Sequence, residues 1–335
     1  MNLDYLTVIF LSFLGYFFFI KIANYFKFID TPSDQNIHKN KTYTQYGFIF
    51  ILIFSATLIY FYNFNKIEVL IKIIPRPYVF LFSLISLSIL SLLDFKFKIH
   101  PFIRLLLQFS FVFLSLSTLR IPIFGNFIPY KVEILLISYF WVYIINSTNF
   151  IDGIDSSLNI ITVSTIIATI VISNIIGFIF LKELNILLIS FLCCMLPFII
   201  FNFPRAKVFC GDSGSIPIGY VLGWLNLFIV SETDRVFVLI LTSYLLVDVT
   251  LTLIKKCFKR KVPWSRDFDY FFLIPTKYLN KKHMFTLRYL LINQIILICL
   301  AILSLYYNQF VILFISIIPS LILINYFNSL KKSLK

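Results

Sequence analysis

Apolar runs close to the roughly 20 residues that cross a bilayer as one helix recur along almost the whole chain, at about 5–23, 46–63, 78–93, 102–119, 132–149, 158–180, 184–201, 215–231, 236–254, 286–306 and 309–327. No soluble globule has enough interior to hide so many apolar faces, and with 41 Phe and only 13% charged residues the chain cannot offer water a polar surface. The expected fold is therefore an all-α, polytopic integral membrane bundle of about eleven helices, or ten if Lys182 and Glu183, the one polar break between the sixth and seventh runs, do not divide them. Residues 1–335 show no internal repeat and no low-complexity linker, so a single transmembrane domain is expected.

Lys and Arg in alternate connections set the expected orientation. The connections at about 24–45, 94–101, 150–157, 202–214 and 255–285, together with the C-terminus, hold about 19 of the 29 cations; the opposite set holds about 7, and 3 lie within spans. The excess of basic residues on cytoplasmic loops places the first set inside, with the N-terminus outside and Lys331, Lys332 and Lys335 inside. The first apolar run has no small-residue cleavage site and reads as a retained helix. The formal net charge of +14 could suit nucleic acid. Its cations flank apolar spans rather than lining a soluble face, however, so anionic lipid and anionic substrates are expected and nucleic acid is not. The five cysteines have no CxxC spacing and read as packing residues.

Against this background the placement of the acids is informative. The chain has only 15 Asp plus Glu, and Asp94, Asp152, Asp155 and Asp212 each sit at the edge of a long apolar run. A charge near hydrocarbon costs about 2.5–3.5 kcal/mol at a helix centre on insertion scales, so such residues point to function. All four fall in connections assigned to the cytoplasmic face, where they can converge.

Each motif has a chemical and a plain reading. The loop 29–47, IDTPSDQNIHKNKTYTQYG, offers His38, Lys39 and Lys41 as donors to phosphate, or is an ordinary solvated basic loop. In LLDFKFKIHPFIRLLLQ, Asp94 closes a span, Pro101 suits the first turn of the next, and Arg104 and Gln108 share a face. Asp94 could bind metal, act as a base or merely mark the interface. In NSTNFIDGIDSSL, Asn146, Asn149, Asp152 and Asp155 recur every three residues, one polar stripe if helical, with a break expected at Gly153. Oxygen ligands of this kind suit a hard cation and a polar head group, though polar residues also glue helices together. In FNFPRAKVFCGDSGSIPIG, residues 201–219, Gly211 and Gly214 permit tight turns and Ser213 and Ser215 can cap the following helix. Its N-terminus would then offer amides to a diphosphate beside an Asp212-bound metal. GDSGS also occurs in serine proteases, but no suitably placed His and Asp complete a triad here. The connection at about 255–285 reads as an amphipathic interfacial segment or a cover for a nucleotide sugar, with His283 as an interfacial residue.

Taken together, the motifs resemble the polyprenyl-phosphate N-acetylhexosamine-1-phosphate transferase family over roughly residues 25–290. The resemblance rests on Asp30-Thr31-Pro32 with His38, Asp94 followed by Pro101 and Arg104-Leu105, Asn146 to Leu158, and Asn202 with Gly211-Asp212-Ser213-Gly214-Ser215, in that order. It implies an enzyme of the bacterial inner membrane that passes a sugar 1-phosphate from a UDP-sugar to undecaprenyl phosphate at a cytoplasmic, Mg²⁺-dependent site, with Mn²⁺ as an alternative ion, releasing UMP and priming a cell-envelope glycan. Carried over by motif, Asp212 is the metal ligand, and Asp94, Asp152 and Asp155 are the active-site carboxylates. His38, Lys39, Arg104, Asn149, Asn202 and Ser213 are substrate contacts. The segment DVTLTLIKK is most similar to transferases that prime O-antigen. Phe-rich outer faces suit lipid or a second protomer equally, which leaves a homodimer open.

The chain departs from the family pattern at several points. One carboxylate of an acidic pair is Leu93, the usual DGxDG ends at Ser156, and the histidine-rich motif of the last cytoplasmic loop stands as SRDFDYFF. A catalytically degenerate relative that binds lipid-linked sugar or a partner is accordingly the main alternative. A transporter is a further one, although it would place polar groups at helix centres rather than at their ends.

Overall fold

The computed structural model describes residues 2–31, 41–64, 71–119, 121–123, 127–262 and 270–332. Thirteen α-helices are seen among them: α1 Asn2–Phe26, α2 Gly47–Phe64, α3 Pro77–Phe97, α4 Pro101–Ser115, α5 Tyr130–Ile151, α6 Ser157–Ile175, α7 Leu181–Phe201, α8 Asp212–Thr233, α9 Phe237–Leu241, α10 Ser243–Phe258, α11 Ile274–Leu279, α12 His283–Leu303 and α13 Gln309–Lys332. Nine of the described helical stretches are long and apolar enough to cross a membrane. α2 and the α9–α10 pair, interrupted at Thr242, occupy the two remaining apolar runs. The chain is an all-α, multi-pass membrane protein. The sixth and seventh runs are separate helices, but the break falls at 176–180, since α6 ends at Ile175 and α7 begins at Leu181, which leaves Lys182 and Glu183 in the first turn of α7.

The bundle is organised around α8. Its apolar window is 94% buried, against 28% for α1, so α8 is enclosed by protein while α1 turns most of its surface to lipid. Small residues make this enclosure close. A side chain at Gly219 would meet the Ile145 backbone of α5 at 2.7 Å, and one at Gly223 would collide with Trp141. Such small positions are what allow membrane helices to approach backbone to backbone. Trp141 Nε1 then donates to Tyr220 O at 2.8 Å, and the two rings stack 5.0 Å apart. Pro217 lies inside α8 and has no N–H for the carbonyl four residues earlier. That carbonyl, Ser213 O, accepts instead from Ser88 Oγ of α3 at 2.5 Å, so the gap in one helix becomes a bond to another.

One end of the bundle is tied together by backbone. A short antiparallel pair, β1 Ile29–Asp30 and β2 Thr42–Tyr43, closes the connection after α1, and Tyr43 bridges in parallel to Val208 of the connection before α8. Phe209 N donates to Tyr43 O at 2.7 Å, Tyr46 N to Phe209 O at 3.3 Å and Gly47 N to Cys210 O at 3.0 Å. Two connections distant in sequence thus form one seam.

Candidate active site

The seam fixes where α8 begins. Gly47 and Gly214 lie back to back, so that a Cβ on either would overlap the other's backbone. Gly211 adopts φ +69, and a side chain there would strike the Gln45 amide nitrogen at 2.8 Å. Gly211 therefore serves the turn expected of it, whereas Gly214 serves a close approach rather than a turn. The serines do not cap α8 as expected. Its N-cap is Gly211, without a side-chain bond, and Ser213 N donates to Gln45 Oε1 at 3.3 Å while Ser213 Oγ donates to Gln45 O at 3.3 Å. Ser215 Oγ reaches Asn149 Oδ1 at 2.6 Å. Gly214 N and Ser215 N both donate to Gly211 O. The expected row of amides awaiting a diphosphate is thus spent within the protein, because Gln45, a residue that sequence reasoning missed, fills the role a bound anion would take.

Around this start the acids converge. Arg104 Nη1 of α4 lies 2.7 Å from Asp94 Oδ2 in the last turn of α3 and 3.4 Å from Asp212 Oδ2 at the head of α8. One guanidinium therefore draws together carboxylates 118 positions apart in the chain (212 − 94). On the other side, α5 ends at Ile151 and residues 152–156 form a turn, so the break at Gly153 is present and the three-residue stripe does not continue as helix. Asn146 and Asn149 stay on α5: Asn146 Nδ2 donates to Gln108 Oε1 at 2.8 Å, and Asn149 accepts from Ser215. Asp152 stands close to both Asp155 and Asp212. Burial, then the charges of Asp212 and Asp155, hold its carboxyl well above the ordinary carboxylate range. The same enclosure, with Asp152 and Asp212 nearby, pushes the Cys210 thiol up, which keeps it a neutral packing residue.

Asp155 is held from two directions. Its Oδ2 accepts from Ala206 N at 3.1 Å and lies 3.1 Å from His283 Nδ1, which is also 3.3 Å from the Asp155 amide nitrogen. With a proton on Nδ1 the imidazole donates to the carboxylate; without one it accepts from the amide. His283 is therefore not the plain interfacial residue expected from sequence; it starts α12 and pairs with the acid turn. Asn202, expected to touch substrate, is 1% exposed and turned inward. Its Oδ1 accepts from Ser156 N at 2.8 Å, its Nδ2 donates to Val208 O at 2.8 Å, and its backbone carbonyl accepts from Ser156 Oγ at 3.1 Å. Ser156 has φ +62, a conformation that favours glycine, and these two bonds to Asn202 are what hold a serine there. Ser213 is likewise fully buried. His38 and Lys39 lie outside the described residues.

Among the described residues no group of three or more His, Cys, Asp or Glu side chains gathers tightly enough to form a ready-made metal cage. The electrostatics nevertheless fit a hard cation. Asp152 is pressed by two neighbouring carboxylates, and Mg²⁺ commonly takes one or two protein carboxylates and completes its shell with water and phosphate oxygens.

Residues 77–230, the stretch that carries Asp94, Arg104, the acid turn and Asp212, match the family model for glycosyl transferase family 4. That match covers 154 of the 335 residues, and over this stretch the chain is similar to the family. It is 27% identical over 187 residues to a probable undecaprenyl-phosphate N-acetylglucosaminyl 1-phosphate transferase of Bacillus subtilis, covering 52% of this chain and 51% of that protein. It is 26% identical over 229 residues to a phospho-N-acetylmuramoyl-pentapeptide-transferase of Nautilia profundicola, covering 61% and 65%. A protein of the same name from Kosmotoga olearia is 25% identical over 247 residues, covering 64% and 71%. The matches span about half to two thirds of the first two of these relatives.

Proposed function

We propose that this chain transfers a sugar 1-phosphate, an N-acetylhexosamine 1-phosphate above all, from a UDP-sugar to undecaprenyl phosphate at the cytoplasmic face of a bacterial inner membrane, releasing UMP. The observation that carries the reading is the convergence of Asp94, Arg104, Asp152, Asp155 and Asp212 at one end of a membrane bundle. An isoprenoid tail stays in lipid while the nucleotide sugar is soluble. Their phosphates can meet only at the interface, and the acids sit at helix ends.

The roles follow from placement. Asp212, with Asp152 beside it, would hold Mg²⁺, which when bound offsets diphosphate charge and stabilises the leaving UMP. Arg104 orients Asp94 and Asp212 and offers its remaining donors to phosphate oxygens. Asp155 fixes the acid turn through Ala206 and His283. The acceptor phosphate is largely ionised near neutral pH, by analogy with a phosphomonoester whose second pKa is about 6, so Asp94 positions charge rather than removing a proton. A groove of about 680 Å³ between α5 and α10, lined by Tyr139, Tyr143, Leu253, Ile254 and Phe258, offers the acceptor's tail an apolar channel. Tyr143 is nine positions from Asp152, about 14 Å at helical rise.

Purified protein with Mg²⁺ and undecaprenyl phosphate should release UMP from at least one UDP-N-acetylhexosamine, and the lipid product should carry the sugar phosphate by mass spectrometry. Absence of release across a donor panel refutes the reading. One observation favours a second reading, a binder of lipid-linked sugar: the segment standing for the histidine-rich motif is aromatic and buried at Tyr270, Phe271 and Phe272. Nucleotide-sugar binding without UMP release would establish it.

A further inference from the structure

One stretch of the last long connection is turned into the protein. Residues Tyr270 to Thr276 are buried, and the structure shows what fastens them. Asp248 of α10 is fully buried and accepts four hydrogen bonds: from Phe271 N at 3.1 Å and Thr252 Oγ1 at 3.4 Å on Oδ1, and from Phe272 N at 3.2 Å and Tyr244 OH at 3.0 Å on Oδ2. It thereby caps the short 3₁₀ turn Phe271–Leu273 from another helix. Two turns further along, α10 adds two cation–π contacts, with Lys256 Nζ 5.4 Å from the Tyr270 ring centroid and Lys255 Nζ 4.9 Å from that of Phe271.

The fastened segment presses on the acid turn. A Cβ at Gly153 would meet Leu273 Cδ2 at 2.9 Å and Phe272 Cζ at 3.1 Å, so these side chains lie on the glycine that follows Asp152. Tyr270 stacks on Phe150 of α5 at 5.2 Å. The acid turn has protein on one side through Ala206 and His283 and this aromatic wall on the other.

We propose that Asp248 is a positioning residue. It holds the Tyr270–Thr276 segment against the Asp152–Gly153 turn and so sets where the Asp152 carboxylate stands among its neighbours. The proposal rests on the transferase reading for its effect on turnover, but the anchoring itself does not. A buried carboxylate that accepts from two consecutive backbone amides cannot be replaced by its own amide without a donor facing a donor. Asp248→Asn keeps the size of the side chain and removes one of the acceptors.

The test uses the full chain with Cys193, Cys257 and Cys299 replaced by alanine and a reporter, Thr276→Cys, placed in the buried part of the segment. In the parent the reporter thiol should react slowly with a soluble maleimide. Asp248→Asn should speed labelling at least tenfold, and Gly153→Ala, which pushes the wall from the opposite side, should speed it as well. In UMP release, Asp248→Asn should lower kcat tenfold or more while changing the KM for the UDP-sugar less than threefold. A residue needed only for folding would instead lower the amount of active protein and leave the kcat of the folded fraction unchanged. Unchanged labelling in Asp248→Asn overturns the anchoring, and faster labelling with unaltered kcat overturns the positioning. A parent that labels slowly but releases no UMP refutes the transferase reading alone, and the labelling ratio then still decides the anchor.

Discussion

Replacing Gly214 by alanine should separate the two connections that create the site. Its Cβ would stand 2.5 Å from Gly47 Cα and collide with Cys210 Sγ. Non-bonded carbons rest at about 3.5–4.0 Å, so the seam must open by roughly 1–1.5 Å. Bonds across that seam include Gly47 N to Cys210 O at 3.0 Å, Tyr46 N to Phe209 O at 3.3 Å and the two Ser213–Gln45 bonds at 3.3 Å. All would lengthen past useful geometry. Losing two to four buried bonds at about 0.5–1.5 kcal/mol each, more where a group is orphaned, gives a cost of about 3–5 kcal/mol. That is a large part of a typical stability of about 5–15 kcal/mol. Thermal unfolding of purified protein should show a midpoint lower by on the order of 10 °C, with UMP release lost in parallel. Gly47→Ala should do the same, and the double variant should cost clearly less than the sum, because the first substitution has already opened the seam. A Gly214→Ala protein with unchanged midpoint and activity, or a strictly additive double variant, would refute the back-to-back argument.

Other substitutions separate charge from scaffold. Asp212→Ala should abolish UMP release and leave the unfolding midpoint within a few degrees, since Asp212 is partly exposed. Arg104→Ala should cost about 1.5–3 kcal/mol, the worth of hydrogen bonds to charged groups, and lower kcat/KM at least a hundredfold, checked by melting and steady-state kinetics. Asn202→Ala should cost about 2–4 kcal/mol by orphaning Ser156 N and Val208 O, whereas Ser156→Gly should change stability by less than about 1 kcal/mol, as relief of the left-handed backbone offsets the lost Oγ bond. Because folding raises the Asp152 pKa, the metal-free protein gains stability on protonating this group and loses it as pH rises above the ordinary carboxylate range. Melting curves from pH 4.5 to 8 should therefore fall with pH, and Asp152→Asn or millimolar Mg²⁺ should flatten them.

The membrane fold was legible because periodicity is irrelevant to it: the length of each apolar run suffices, and all eleven expected runs contain helix. The acids were legible for a related reason, since a carboxylate beside hydrocarbon has no cheap structural excuse. What escaped were residues whose work depends on partners far along the chain. Gln45 looks like any loop polar residue until Ser213 is beside it. Asn202 read as a substrate contact because nothing in the sequence shows that Ser156 and Val208 use its whole side chain. His283 read as interfacial because Asp155 lies 128 positions away. The one faint signal was Ser156 itself, a non-glycine where the family pattern has glycine, which demanded a local compensation.

These placements also say what holds like charges together. Asp152, Asp155 and Asp212 do not attract one another, although Arg104 pairs with Asp94 and Asp212, and His283 with Asp155. Neutral structure also imposes their proximity: the glycine pair at 47 and 214, the backbone seam at 43–47 and 208–211, and Asn202 clasping the acid turn. Scaffold free energy is stored as electrostatic tension, which any ligand carrying positive charge can release. The consequence is directional. A divalent cation should bind more tightly to the intact seam than to a Gly47→Ala protein that retains every carboxylate, and calorimetric titration with Mg²⁺ of both proteins would expose equal affinities if the acids alone made the site.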